Sequence, residues 1–390
     1  MRVYFAPCGI GLGHVGRSVP IARALISKGM KVTFSTYTDG IGYIQRERLP
    51  LCMAPPIGFQ VKPDGSIDFR QTAANPGPFV SVFTFLRQVN FELASIGTFK
   101  PDVIVSDSRA SPLVAARILG LPRICILNQF QVFIPRRKRF LRLARLADYG
   151  TLTLIGKIWT SQTVLIPDFP APYTISSGNL HIPKAYRKNV KLIGPILPVT
   201  PDSLPPQSEL RKRLQLSDKR ICIFVPMSGP YRERAFFTEN MKQILLSFPQ
   251  EYEITVSLGY PHSKRKPLRH DNITIYDWIP NRFEYMKACD FVIARAGHGT
   301  ITQCMCYGKP AIFIPTPNHT EQLNNAQQAS KLRTARVIRQ EKTTKEVLLA
   351  TIKEMFEDGV SKRAASISLE LSKYDGLKNA VDALQAAATK

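Results

Sequence analysis

The sequence predicts an α/β protein made of two successive doubly wound parallel sheets. Three observations carry this. Short apolar runs alternate with helical patterns along the chain; the proline-rich stretch Pro198–Pro206 breaks the alternation once; and 390 residues are enough for two sizeable cores. The organisation expected is an N-terminal domain over 1–197, a linker over 198–206, a C-terminal domain over 207–372 and a closing helix over 373–390.

In the first half the strand-like runs are Val3–Ala6, Val32–Thr36, Val103–Ser106, Ile124–Leu127, Val164–Ile166 and Lys191–Ile193. They are short and mostly apolar, as strands covered on both faces must be. Between them, Val19, Ala22, Leu25 and Ile26 share one helical face, and Pro112–Leu119 forms a helix closed by Gly120. The second half restarts with Ile221–Val225, Ile254–Leu258, Ile273–Tyr276, Phe291–Ala294, Ala311–Ile314 and Arg336–Ile338. Helices over Val347–Phe356, Lys362–Lys373 and Leu377–Ala388 close the chain, broken near Gly359 and Gly376.

A hydrophobic share of 44% excludes a disordered chain, and no apolar run approaches a membrane span. Met1-Arg2 leads straight into a strand without a signal-peptide pattern, so a cytoplasmic protein is expected. Seven scattered cysteines without a CxxC pair read as small buried hydrophobes in a reducing compartment, not as a disulfide frame or zinc site. The net charge of +24 favours anionic partners: nucleotide sugars, phosphorylated lipids, an acidic membrane surface or nucleic acid.

The second half is organised around Asp290–Asn325. A strand, the glycine turn Arg295–Thr300 and a helix over Ile301–Tyr307 aim free backbone N–H groups and a positive helix end at an anion. Arg295, His298 and Thr300 add side-chain donors at the same turn, a setting suited to a phosphate or diphosphate.

This stretch resembles the donor-binding segment of GT-B glycosyltransferases, particularly family 28 with the bacterial lipid-linked N-acetylglucosaminyltransferase, and the macrolide and plant UDP-glycosyltransferases. The shared elements stand here as Ala296-Gly297, Gly299-Thr300, Gly308-Lys309-Pro310, Ala311–Pro315 and Glu321-Gln322. The resemblance implies two Rossmann-like domains facing each other across a cleft, with the last helix crossing back to the N-terminal domain. It implies that the turn through Gly297 and Gly299 receives the diphosphate, and that Glu321 and Gln322 hold donor-sugar hydroxyls. It also implies that Ser228 and Gly229 touch donor phosphate and that the Ile279 main chain reads the nucleobase edge, with Trp278 packing beside it. One position departs: Gln303, six after Gly297, stands where the family has a ribose-binding Glu. An amide still bonds a diol, but the identity of the nucleotide is left open.

The first strand ends in Pro7-Cys8-Gly9-Ile10-Gly11-Leu12-Gly13-His14, glycines at every second residue and then a histidine. This is not the G-x-G-x-x-G spacing of a dinucleotide loop, although Gly11 and Gly13 let backbone pass close to a ligand. Pro20 places the following helix start near Gly16 or Arg17. The loop resembles the N-terminal signature of the same GT-B branch, which makes His14 the general base toward an acceptor hydroxyl, a task suited to neutral imidazole. Asp107, at the end of a neighbouring strand, either orients His14 or caps the helix over Ser108–Leu119.

The resemblance therefore implies an inverting glycosyltransferase that moves a sugar from a nucleotide diphosphate, a UDP-sugar, to an acceptor hydroxyl. No cofactor is expected, and no Asp-x-Asp motif is available to hold a nucleotide-bound metal. The acceptor expected is anionic or lipid-linked. Arg136–Ala147, which as a helix places Lys138, Arg142 and Arg145 on one stripe and Phe140, Leu143 and Ala144 on another, would suit peripheral contact with an anionic membrane or a core-packed helix with a wet basic back. Two other readings stand beside this one: an epimerase or hydrolase on the same fold, and a basic nucleic-acid-binding α/β protein, for which no recognised motif appears.

Overall fold

The computed structural model describes residues 1–57, 77–128, 158–159, 162–180, 182 and 184–389. Arg136–Ala147 lies outside them. The first sheet holds β1 (Arg2–Pro7), β2 (Lys31–Thr36), β3 (Leu51–Met53), β4 (Val103–Asp107), β5 (Arg123–Ile126), β6 (Thr163–Ile166) and β7 (Val190–Leu192). Its order is β3-β2-β1-β4-β5-β6-β7, and every pairing is parallel. Its described helices are α1 (Gly13–Ser27), α2 (Asp39–Arg46), α3 (Gly77–Phe99) and α4 (Ser111–Ile118).

The second sheet holds β8 (Ile221–Pro226), β9 (Tyr252–Ser257), β10 (Leu268–His270), β11 (Ile273–Tyr276), β12 (Phe291–Ala294), β13 (Ala311–Phe313) and β14 (Ala335–Val337). The order is β10-β11-β9-β8-β12-β13-β14, parallel except for β10 against β11. The helices are α5 (Gln207–Leu214), α6 (Tyr231–Leu246), α7 (Arg282–Ala288), α8 (His298–Cys306), α9 (Thr320–Lys331), α10 (Lys345–Glu357), α11 (Val360–Leu371) and α12 (Gly376–Ala388). The fold is the expected pair of doubly wound α/β units.

Strand order fixes where a ligand belongs. β1 lies between β2 and β4, and β8 between β9 and β12, so the winding direction reverses beside each unit's first strand. Loops leaving the carboxyl ends at such switch points diverge and leave a crevice. The crevices are bordered by the glycine loop after β1 and Asp107 of β4, and by Ser228-Gly229 after β8 and the turn after β12.

The cores are apolar because the central strands are buried on both faces, and each unit draws on distant chain. Ala380, Val381 and Leu384 of α12 join the cluster of Val3, Phe5, Val19 and Leu25 in the first unit. Phe169 and Ile175, beyond β6, join the cluster of Phe224, Val292 and Phe313 in the second.

Two expectations need correction. The helix after the glycine loop begins at Gly13, not near Gly16 or Arg17, and runs through Pro20. The helix after the second glycine turn begins at His298, not Ile301, because Gly297 already serves as its cap residue.

Candidate active site

The two units meet at their loop edges. A Cβ built on Gly11 would lie 3.5 Å from the Gly229 carbonyl carbon, so the loops leaving β1 and β8 touch. Asn128, just beyond β5, donates Nδ2 to Oε1 of Glu321 in the first turn of α9 at 2.6 Å. Farther along, Arg46 of α2 donates to the Pro261 carbonyl at 2.7 Å, and the Tyr43 and Trp278 rings meet edge to face at 5.6 Å.

On the first unit, starting α1 at Gly13 puts His14 and Arg17 three residues apart on one helical face. His14 Nδ1 lies 2.8 Å from Asp107 Oδ1. Arg17 grips the same carboxylate twice, Nε to Oδ2 and Nη2 to Oδ1, each at 2.5 Å. Asp107 is wholly buried, while the His14 side chain keeps 24% of its surface, enough for a ligand to reach it. A carboxylate only accepts, so the pairing assigns the proton to Nδ1 and leaves the Nε2 lone pair free. Burial would raise the Asp107 pKa, but the Arg17 charge and then His14 outweigh it and hold the group at about 2. The helix-cap alternative falls, since Ala110 precedes α4 and no side chain caps it.

The glycine loop is shaped by contacts. A Cβ on Gly9 would lie 1.8 Å from the Tyr37 carbonyl oxygen, and Gly11, at φ +69°, donates its N–H to Asp39 Oδ2. Gly13 faces open space, with nothing within 4 Å of a built Cβ.

On the second unit, Gly297 precedes α8 without a side-chain cap, and Thr300 and Ile301 N–H groups bond back to its carbonyl at 3.0 and 3.1 Å. The N–H groups of His298 and Gly299 come before the first helical bond, as an anion-receiving turn requires. Gly299 is exposed, and Thr300 and Gln303 are half-buried beside it. Gly229, at φ +110°, shapes the Ser228-Gly229 turn.

Two expected ligand donors point elsewhere. Arg295 continues the alternation of Phe291 and Ile293 toward the face covered by α6, where it is 1% exposed. There it donates to the Ile314 carbonyl at 3.0 Å and to Gln340 at 2.6 Å, and lies over the Phe237 ring. Burial lowers its pKa to about 10, partly offset by Glu233. His298 turns its Nε2 to within 3.0 Å of Asp168 Oδ2, a close polar contact off the line of an ideal hydrogen bond. Arg295 and His298 are thus structural, and their backbone alone borders the turn. The Ile279 side chain is likewise in the core, with Trp278 packed on Tyr43 and Arg46. Gln322 is buried and accepts the Thr316 N–H at 3.0 Å, while His319 caps α9.

Arg17, Asp39, Asn128 and Asp168 were missed from sequence. Arg17 had a signal, three residues after His14, once α1 is started at Gly13. Among the described residues no group of three or more His, Cys, Asp or Glu side chains could hold a metal, and no helix is long and apolar enough to cross a membrane.

Residues 234–380 match the model of the glycosyltransferase family 28 C-terminal domain. An uncharacterized glycosyltransferase of Methanosarcina mazei is 26% identical over 363 residues, covering 92% of this chain and 91% of that one. The chain is a glycosyltransferase. This glycosyltransferase is also 24% identical, over 99% of its own length and 98% of the other, to the UDP-N-acetylglucosamine--N-acetylmuramyl-(pentapeptide) pyrophosphoryl-undecaprenol N-acetylglucosamine transferase of Desulforamulus reducens. The crystal structure of CalG4, the calicheamicin glycosyltransferase, superposes with a TM-score of 0.65 at 14% identity, covering 100% of this chain and 98% of that one, and shows the shared GT-B fold.

Proposed function

We propose that this glycosyltransferase transfers a sugar from a UDP-sugar to an acceptor hydroxyl with inversion, and that His14 is the general base. The His14–Asp107 contact at 2.8 Å, clamped by Arg17 and left open at Nε2, is the observation that carries the reading. In a single displacement the acceptor oxygen attacks the anomeric carbon while its proton passes to Nε2. The bond from that carbon to the diphosphate oxygen breaks, and the nucleoside diphosphate leaves with the electron pair. Backbone N–H groups of His298 and Gly299 and of Ser228-Gly229 receive the developing charge, in place of a metal ion or the Arg295 side chain.

Glu321 would hold a sugar hydroxyl, close enough to the acceptor side that its charge helps hold up the Arg17 pKa against burial. Gln303 would bond the ribose diol. The uridine assignment is supported by the name of the Desulforamulus relative. With a net charge of +24, we propose a phosphorylated, lipid-linked acceptor met at the cytoplasmic face of a membrane.

The test is UDP release from a panel of UDP-sugars with lipid-phosphate acceptors, with and without chelator. His14→Ala is expected to keep donor binding by thermal shift and to lose about two orders of magnitude in transfer. Normal transfer by His14→Ala would remove the base assignment, and loss with chelator would remove metal independence.

A further inference from the structure

Thr316, in the loop leaving β13, is wholly buried. Its N–H donates to Gln322 Oε1 at 3.0 Å. Its hydroxyl sits 3.2 Å from the same oxygen but also contacts Glu233 Oε1 more closely. One hydroxyl hydrogen goes to the stronger acceptor, so the carboxylate takes it. The orientation of the Gln322 amide follows. Turned over, its NH2 would meet the Thr316 N–H, donor against donor. Oε1 is committed to Thr316, and only the Nε2 hydrogens are left for a ligand.

Glu233, in the first turn of α6, is 2% exposed. A Cβ built on Gly229 would lie 3.3 Å from its Oε1, and Arg295 Nε approaches that oxygen at 3.9 Å. One buried carboxylate thus braces the turn on the phosphate side and, through Thr316, the amide on the sugar side. A group that joins two subsites can set their relative placement.

We propose that Thr316 is a positioning residue for donor-sugar recognition. Braced by Glu233, it makes Gln322 a pure hydrogen-bond donor beside the Glu321 carboxylate, which only accepts. The pair therefore selects a nucleotide hexose with two neighbouring free hydroxyls, one receiving a hydrogen bond and one giving it. This rests on the donor-site reading above.

Titration calorimetry with UDP, dTDP and GDP and with their hexoses would test it on the wild type, Thr316→Val, Thr316→Ser and Gln322→Glu. In Thr316→Val the ratio of nucleotide Kd to nucleotide-sugar Kd is expected to fall about tenfold, with bare nucleotide affinity kept within about twofold. Thr316→Ser keeps the ratio. Gln322→Glu retains an acceptor for the Thr316 N–H yet gives nothing to the sugar, so it loses the ratio even where Thr316→Val fails to fold. Parallel weakening of nucleotide and nucleotide sugar, or an unchanged ratio in Gln322→Glu, overturns the proposal. A wild type that binds neither nucleotides nor their sugars fails the donor-site reading itself, before any variant is compared.

Discussion

Asp107 holds His14 with the same carboxylate oxygen that accepts from Arg17, so an imidazole and a permanent cation share one buried anion. The arrangement makes Asp107 a stability element as well as an orienter. Its folded pKa of about 2 lies below the ordinary 3.8, so its contribution is fully present above about pH 4 and is lost as pH falls through 2. The shift corresponds to about 2 kcal/mol. Denaturant unfolding of the wild type and Asp107→Asn between pH 6 and pH 2 is expected to show a wild-type advantage that shrinks only in that acid window. An advantage that is constant with pH would contradict the shift.

Arg295→Met separates a structural arginine from a ligand-binding one. Removing the cation leaves Glu233 buried beside an apolar side chain, at a cost of about 3–5 kcal/mol. The melting temperature is therefore expected to drop while UDP affinity of the folded fraction stays within about twofold. Loss of UDP binding without loss of stability would return Arg295 to the phosphate site.

The glycines of the first loop differ in kind. Gly9→Ala would drive a methyl group into the Tyr37 carbonyl, so it is expected to destabilise the protein by about 3 kcal/mol or more and to lower expression. Gly13→Ala meets nothing in the protein and should leave unfolding within about 0.5 kcal/mol of the wild type. If the loop lies against substrate, Gly13→Ala nonetheless lowers kcat/KM. Unchanged kinetics would place the substrate elsewhere.

Asp168 accepts from the N–H groups of Phe169, Ile175 and Ser176 and from the Ser176 hydroxyl, and faces His298 at 3.0 Å. Burial works against its charge, but His298 and Ser176 outweigh that and lower its pKa. Asp168→Ala leaves these donors unanswered and is expected to cost about 3 kcal/mol or more. Hydrogen exchange should quicken over 168–179 and at the start of α8. Exchange confined to one of the two would mean that the contact does not join them.

The central strands were legible because β1, β4, β8 and β12 carry apolar residues on both faces. The edge strands β3 and β10 were not, since Leu268–His270 is exposed throughout and Leu51–Met53 is only three residues long. His14 and Asp107 could be placed together because Asp107 ends β4 and the loop leaving the neighbouring β1 leads into His14, both beside one switch point. Arg17 was lost by letting Pro20 fix the helix start, although a proline in the second turn is accommodated one turn after Gly16. The direction of Arg295 was readable from strand alternation, which Phe291 and Ile293 continue. Asp168 had no such pattern: its pairing with His298 joins a loop to a helix start far along the chain, which only tertiary packing reveals.

Because Val381 and Leu384 complete the floor beneath β1 while Phe169 and Ile175 fill the other sheet, cutting at the proline stretch would not yield two self-sufficient halves. Each uncovered side chain forfeits about 1.5–3 kcal/mol of burial. A swap of donor specificity by exchanging C-terminal halves with a relative must therefore bring a compatible α12, or graft the native one back, if the recipient is to remain folded.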